Sequence, residues 1–152
     1  MAKMVDIGAK PDVHRHAVAS GIIRLQPGTV IAIRAGRVEK GDVLAAAEIA
    51  ALQAMKAVWQ VLPHTHPIPI TAASVTFDVR TDRVVATTSV EATYKTGVEM
   101  EALYGVAVAL LTIWDMVKSL EKDPHGQYPT ARIEDIRVVS KEKGAGKRKG
   151  RP

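Results

Sequence analysis

Asp115 and Lys118 stand three residues apart at the far end of an apolar stretch that carries no charge between Leu103 and Trp114. At i and i+3 on a helix, a carboxylate and an ammonium are surface neighbours. At the edge of an apolar segment such a pair either neutralises itself or serves something bound there. Its chemistry would be proton transfer, because burial and mutual attraction can move both pKa values. At the near end of the stretch, Glu99, Met100 and Glu101 follow Thr96-Gly97-Val98. The two glutamates either complement the positive end of a helix or add acid to a site. Two residues apart, they point about 200° from one another. Glu101 and Asp115 lie near one face but about 21 Å apart along the axis. No small substrate touches both on one helix, so a site that uses both must draw on two chains.

Other candidates lie outside this helix. His64-Thr65-His66 places two imidazoles on one side of an extended segment. They make an incomplete metal site, since no third ligand is evident, and no metal or other cofactor is expected. Contact with a phosphate or a base suits them better, and a loop role without chemistry stays open. Arg37-Val38-Glu39-Lys40-Gly41-Asp42 has the look of a phosphate-contacting loop before a helix, without P-loop spacing. His14-Arg15-His16 is equally ambiguous.

The elements that position these residues read as an alternation of strands and helices. A strand is expected over His16–Leu25, with Gly21 marking a bulge. Pro27 opens a short helical stretch that ends at Gly36. Asp42 is the expected N-cap of an alanine-rich helix reaching about Val61. Three prolines make Leu62–Ile70 an extended loop. Val75, Phe77 and Val79 alternate with polar residues, and Val84–Tyr94 completes a hairpin across Thr81-Asp82-Arg83. The long helix runs from about Gly97 to Lys122 and stops before Pro124 and Gly126. Ile133 to Val139 suggests a last strand. This order is that of an α+β sandwich of the ferredoxin-like kind, an antiparallel sheet with helices packed on one face. The long helix is apolar nearly all round, so a homo-oligomer is expected, with it or the alanine helix at a subunit interface.

A chain of 152 residues, 47% of them hydrophobic, suffices for one domain, placed at residues 1–140. Residues 141–152 form a basic tail with six Lys or Arg against Glu142, and they account for the net charge of +5. The chain contains no cysteine, which excludes thiolate catalysis and disulfides. No signal-peptide pattern appears at the N-terminus, and Leu103–Trp114 falls short of the about 20 residues a membrane span needs. A cytoplasmic protein with no membrane partner is the expectation. Nucleic acid is also not expected, because Phe77 and Tyr94 do not make a stacking platform and aromatics are only 4%. A scaffold without chemistry leaves the acidic groups of the apolar helix unexplained.

Several segments occur together in the order and spacing of a known family. They are Met4-Val5-Asp6-Ile7 with Ala9-Lys10, Lys40-Gly41-Asp42-Val43, His66-Pro67, Lys95 to Leu103, and Leu111 to Lys118. From about Met4 to Lys141 the chain resembles the cyclic pyranopterin monophosphate synthases, the molybdenum-cofactor biosynthesis protein C family. The resemblance implies a lyase acting on 3′,8-cyclo-7,8-dihydro-GTP, which rearranges the purine to a pyranopterin, closes a cyclic phosphate and releases pyrophosphate. It implies hexamers built as trimers of dimers, with sites shared between subunits. By position, Asp115 and Lys118 match the family's catalytic pair. His64, Thr65 and His66 match its substrate loop, and Met100 and Glu101 a second contact segment. Asp6, Arg15, Lys40, Glu99 and Lys141 match further pocket residues. The chain departs from the family at Thr65, which stands where a cysteine is usual. It departs again after Lys141, where the closing glycine-lysine segment is reached by a longer connection.

Overall fold

The computed structural model describes residues 2–144. Its elements are β1 (Val13–Arg24), α1 (Pro27–Arg34), α2 (Val43–Met55), α3 (Val58–Val61), β2 (Ile70–Val79), β3 (Arg83–Tyr94), α4 (Glu99–Glu121) and β4 (Arg132–Lys143). The strands form one antiparallel sheet in the order β2-β3-β1-β4. This is the ferredoxin-like α+β arrangement expected from the sequence.

Alternation decides which face of the sheet is covered. On β1, Arg15, Ala17, Ala19, Gly21 and Ile23 are buried beneath the helices, and on β3 Val84, Ala86, Thr88, Val90 and Ala92 do the same. Many of these residues are small, so α4 lies close to the sheet and presents Ala102, Gly105, Val106 and Ala109 to it. Gly21 marks the closest approach. The β1–β4 register shifts between Ser20 and Ile22, the bulge expected there. A Cβ on Gly21 would stand 2.6 Å from Val106 Cγ1 and 3.0 Å from Leu110 Cδ1. Gly21→Ala is therefore expected to destabilise the fold by about 1–3 kcal/mol, the usual cost of overpacking a filled core. Urea denaturation would show it, and an unchanged midpoint would mean that α4 gives way freely.

Local signals account for the element ends. Asp42 caps α2, its Oδ1 accepting from the Ala45 amide at 3.0 Å. Gly36, at φ 64°, carries the chain out of the turn after α1. At the other end of the helical layer, the buried Glu121 carboxylate accepts from the Gln26 amide and the Thr29 hydroxyl, capping α1 from a distance.

Three sequence expectations need correction. The alanine helix ends at Met55 rather than near Val61, because i−3 bonds from Lys56 and Ala57 tighten its last turn, and the chain restarts as α3. β4 extends to Lys143, past the point where the tail was placed, with Glu142 opposite His16 and Lys143 opposite Arg15. The rest of the basic tail, residues 145–152, lies outside the described residues. Finally, α4 has 23 residues with a mean hydropathy of 1.5 over its most apolar window, so length and composition alone would allow a membrane span. Its packing identifies it as the core helix, with Glu101 and Glu121 buried and one face against α2 and the sheet. Part of the cover expected from a second chain is thus supplied by α2. Leu111 and Leu120 on α4 remain exposed, as does Ile49 on α2.

Candidate active site

The connection from β3 into α4 builds one end of the site. Arg15, nearly buried on the helix side of β1, donates from Nε to the Tyr94 carbonyl and from Nη2 to the Lys95 carbonyl, both at 3.3 Å. Thr88 Oγ1 donates to the Ala102 carbonyl at 2.7 Å and pins the first turn of α4 to the sheet. On this fixed backbone Glu99 folds back over Gly97, where any Cβ would collide with its carboxylate. Glu99 pairs with Lys141 of β4. Burial works to raise the Glu99 carboxyl, but the Lys141 ammonium and a backbone hydrogen bond outweigh it and hold the group below its ordinary value.

Glu101 behaves differently. It is 4% exposed, and its Oε2 has no hydrogen-bond partner. Burial pushes its carboxyl up to about 7, against a backbone hydrogen bond that lowers it, and the charge of Glu99 adds to the rise. A carboxyl poised there can give or take a proton at neutral pH.

These residues and the loop before β2 enclose a cleft of about 330 Å³. His64, Thr65, His66, Glu99, Met100 and Glu101 all line it. The two glutamates reach one cleft despite their angular separation because Glu99 is the first residue of the helix and turns back across Gly97. Thr65 Oγ1 donates to the Leu62 carbonyl at 2.8 Å, so this hydroxyl closes the loop's own turn.

The other end of the site lies near the C-terminus of α4. Lys40 Nζ donates to both the Asp115 carbonyl and Asp115 Oδ2 at 3.0 Å. Lys118 Nζ stands 3.2 Å from Oδ1. The hydrogen bond from Lys40 and then that from Lys118 hold the Asp115 carboxyl below its ordinary value. It is therefore ionised at neutral pH, and it is 60% exposed, open to an incoming molecule. Beside it, Leu111, Trp114 and Ile133 line a shallow hollow of about 370 Å³. Trp114 is held edge-on against Tyr128, ring centres 5.1 Å apart.

The candidate residues thus fall into two groups at opposite ends of α4. Asp115, Lys118 and Lys40 meet at one end. The His64–His66 loop, Glu99, Met100 and Glu101 meet at the other, with Arg15 and Lys141 acting on it through Glu99. Asp6 lines neither pocket; its Oδ1 accepts from the Gly8 amide at 2.8 Å and shapes a turn. Among the described residues, no group of three or more His, Asp or Glu side chains is placed to hold a metal ion.

The MoaC family model matches residues 4–144. The chain belongs to the MoaC family. It is 57% identical over 139 residues to a protein of Pyrococcus furiosus named probable cyclic pyranopterin monophosphate synthase, covering 91% of this chain and 89% of that one. A Thermococcus kodakarensis protein with the same name is 58% identical over 142 residues, covering 93% and 91%. A Methanothermobacter thermautotrophicus protein, 55% identical over 141 residues and covering 93% and 89%, is named as a probable accessory protein of that synthase. The family read from the Lys95–Leu103 and Leu111–Lys118 segments is thereby established.

Two lysines of this MoaC-family chain escape a reading of site residues from sequence. Lys10 lines the cleft, and Lys95 reaches across to the N-terminal segment. Both sit inside the segments that carry the family resemblance. Loop lysines have no periodicity to distinguish them from solvated charge, so their positions alone carried no role.

Proposed function

We propose that the chain is a cyclic pyranopterin monophosphate synthase of molybdenum-cofactor biosynthesis, a cytoplasmic lyase. Its substrate would be 3′,8-cyclo-7,8-dihydro-GTP and its products cyclic pyranopterin monophosphate and pyrophosphate. The observation that carries the reading is Asp115 held between Lys40 and Lys118 in a chain of the MoaC family. An ionised carboxylate flanked by ammoniums suits the reaction's repeated proton transfers, with Asp115 accepting protons and Lys118 donating them. Cations at the same place stabilise the charge that grows on departing pyrophosphate. Incubation with the cyclised nucleotide, followed by detection of the pterin product and pyrophosphate, tests the assignment. Absence of both products would refute it.

The working form in this proposal is a hexamer, a trimer of dimers, in which each site joins the cleft of one protomer to the Asp115 end of another. The support is the separation of the two groups by the length of α4. Mixing Asp115→Asn chains with His66→Ala chains should then restore part of the lost activity, since some hybrid sites carry neither change. Differently tagged chains would prove subunit exchange. Mixtures that exchange yet stay inactive would rule out a shared site.

A further inference from the structure

The N-terminal strap, residues 2–12, has no helix or strand, yet its Val5, Ile7 and Lys10 form one wall of the cleft. Little holds it there. Ile7 is its one buried side chain, and its internal bonds, Gly8 to Asp6 and Lys10 to Ile7, only shape local turns. Among the described residues, the single side chain of the body that makes polar contact with the strap is Lys95. Its Nζ donates to the Lys10 carbonyl at 2.9 Å and stands 3.6 Å from Asp12 Oδ1. Lys95 is itself anchored, its carbonyl accepting from buried Arg15. Lys10, held by its own backbone, has no acidic partner among the described residues. An ammonium without a carboxylate at the rim of a cleft is suited to phosphate oxygens.

We propose that Lys95 is a positioning residue: it fixes the strap so that Lys10 meets the phosphate chain of a nucleotide bound in the cleft. This rests on the proposed function for the identity of the nucleotide, but not for the coupling of the two lysines. A substrate with three phosphates arrives with several negative charges to be met, and Glu99 has already taken up Lys141. Among the described residues Lys10 is the remaining lysine on the cleft wall, and its reach into the cleft depends on where its main chain is held.

The test uses the full chain and inorganic tripolyphosphate as probe, with calorimetry at one fixed ionic strength. Lys95→Met and Lys10→Ala are each expected to weaken binding about tenfold, the scale of one charge-assisted hydrogen bond. The double variant should bind no more weakly than Lys10→Ala, because Lys95 acts through Lys10. Lys95→Arg should recover most of the affinity. Amide hydrogen exchange in residues 2–12 should speed up in Lys95→Met and not in Lys10→Ala. With the cyclised nucleotide, Lys95→Met should raise KM about tenfold and leave kcat within about twofold, the mark of lost ground-state binding. If Lys95→Met does not fold, Asp12→Asn, a surface change that removes one of the two ties, should still speed exchange in the strap and weaken binding. Unchanged tripolyphosphate affinity in Lys95→Met or Asp12→Asn, or additive losses in the double variant, would overturn the proposal. Turnover by the unaltered chain is read separately. Coupled binding without turnover keeps the strap and refutes the reaction, whereas turnover with uncoupled binding does the reverse.

Discussion

Asp115→Asn is expected to lower turnover of the cyclised nucleotide by roughly 10²–10⁴, the range lost with one positioned acid or base. The change keeps shape and removes the charge that Lys40 and Lys118 both address. Lys118→Ala should fall in the same range. Neither side chain is buried, so the melting temperature should move little. Single-turnover kinetics beside a melting curve separate the two effects. A variant that turns over at nearly the original rate would remove Asp115 from the chemistry.

Glu101→Gln should change how stability depends on pH. The carboxyl rises from an ordinary value of 4.5 to about 7 on folding, chiefly through burial. The folded state therefore holds this proton more tightly than the unfolded state. Stability supported by the group is complete below about pH 4.5 and declines as pH climbs through about 7. Summed over that interval the loss is about 3 kcal/mol. Glutamine keeps the size and the neutral character, so the variant should lack this decline and be the more stable protein at pH 8. Urea denaturation of ligand-free protein at several values from pH 4 to 8 measures it. Parallel profiles for the two proteins would show that Glu101 is not the group responsible.

The central elements were legible because their residues obey strong local rules. Asp42 caps the helix it was expected to cap, and Val75, Phe77 and Val79 point to the covered face as their alternation requires. β4 was harder to delimit, since an edge strand with most of its residues exposed needs no hydrophobic pattern, and Ser140 to Lys143 join the sheet through backbone pairing with β1. The break between α2 and α3 has no proline or glycine to announce it. In the site, the Asp115–Lys118 pair follows from helical spacing alone. The third member, Lys40, is brought by a loop 75 residues away in sequence, and only the fold puts its ammonium on the same carboxylate. The perturbed state of Glu101 was equally hidden, because burial of a charged residue depends on what packs over it.

The stiffness of α4 has a consequence for how such a protein can vary. Its 23 residues act as a ruler whose two ends carry the two separate groups of candidate residues. One residue inserted between Leu103 and Trp114 would rotate one end against the other by about 100° and lengthen the rod by about 1.5 Å. Loops elsewhere in the chain can grow without altering that registration. Within the uncharged stretch, side chains can be exchanged for others of similar volume, but the number of residues is held to a fixed gauge.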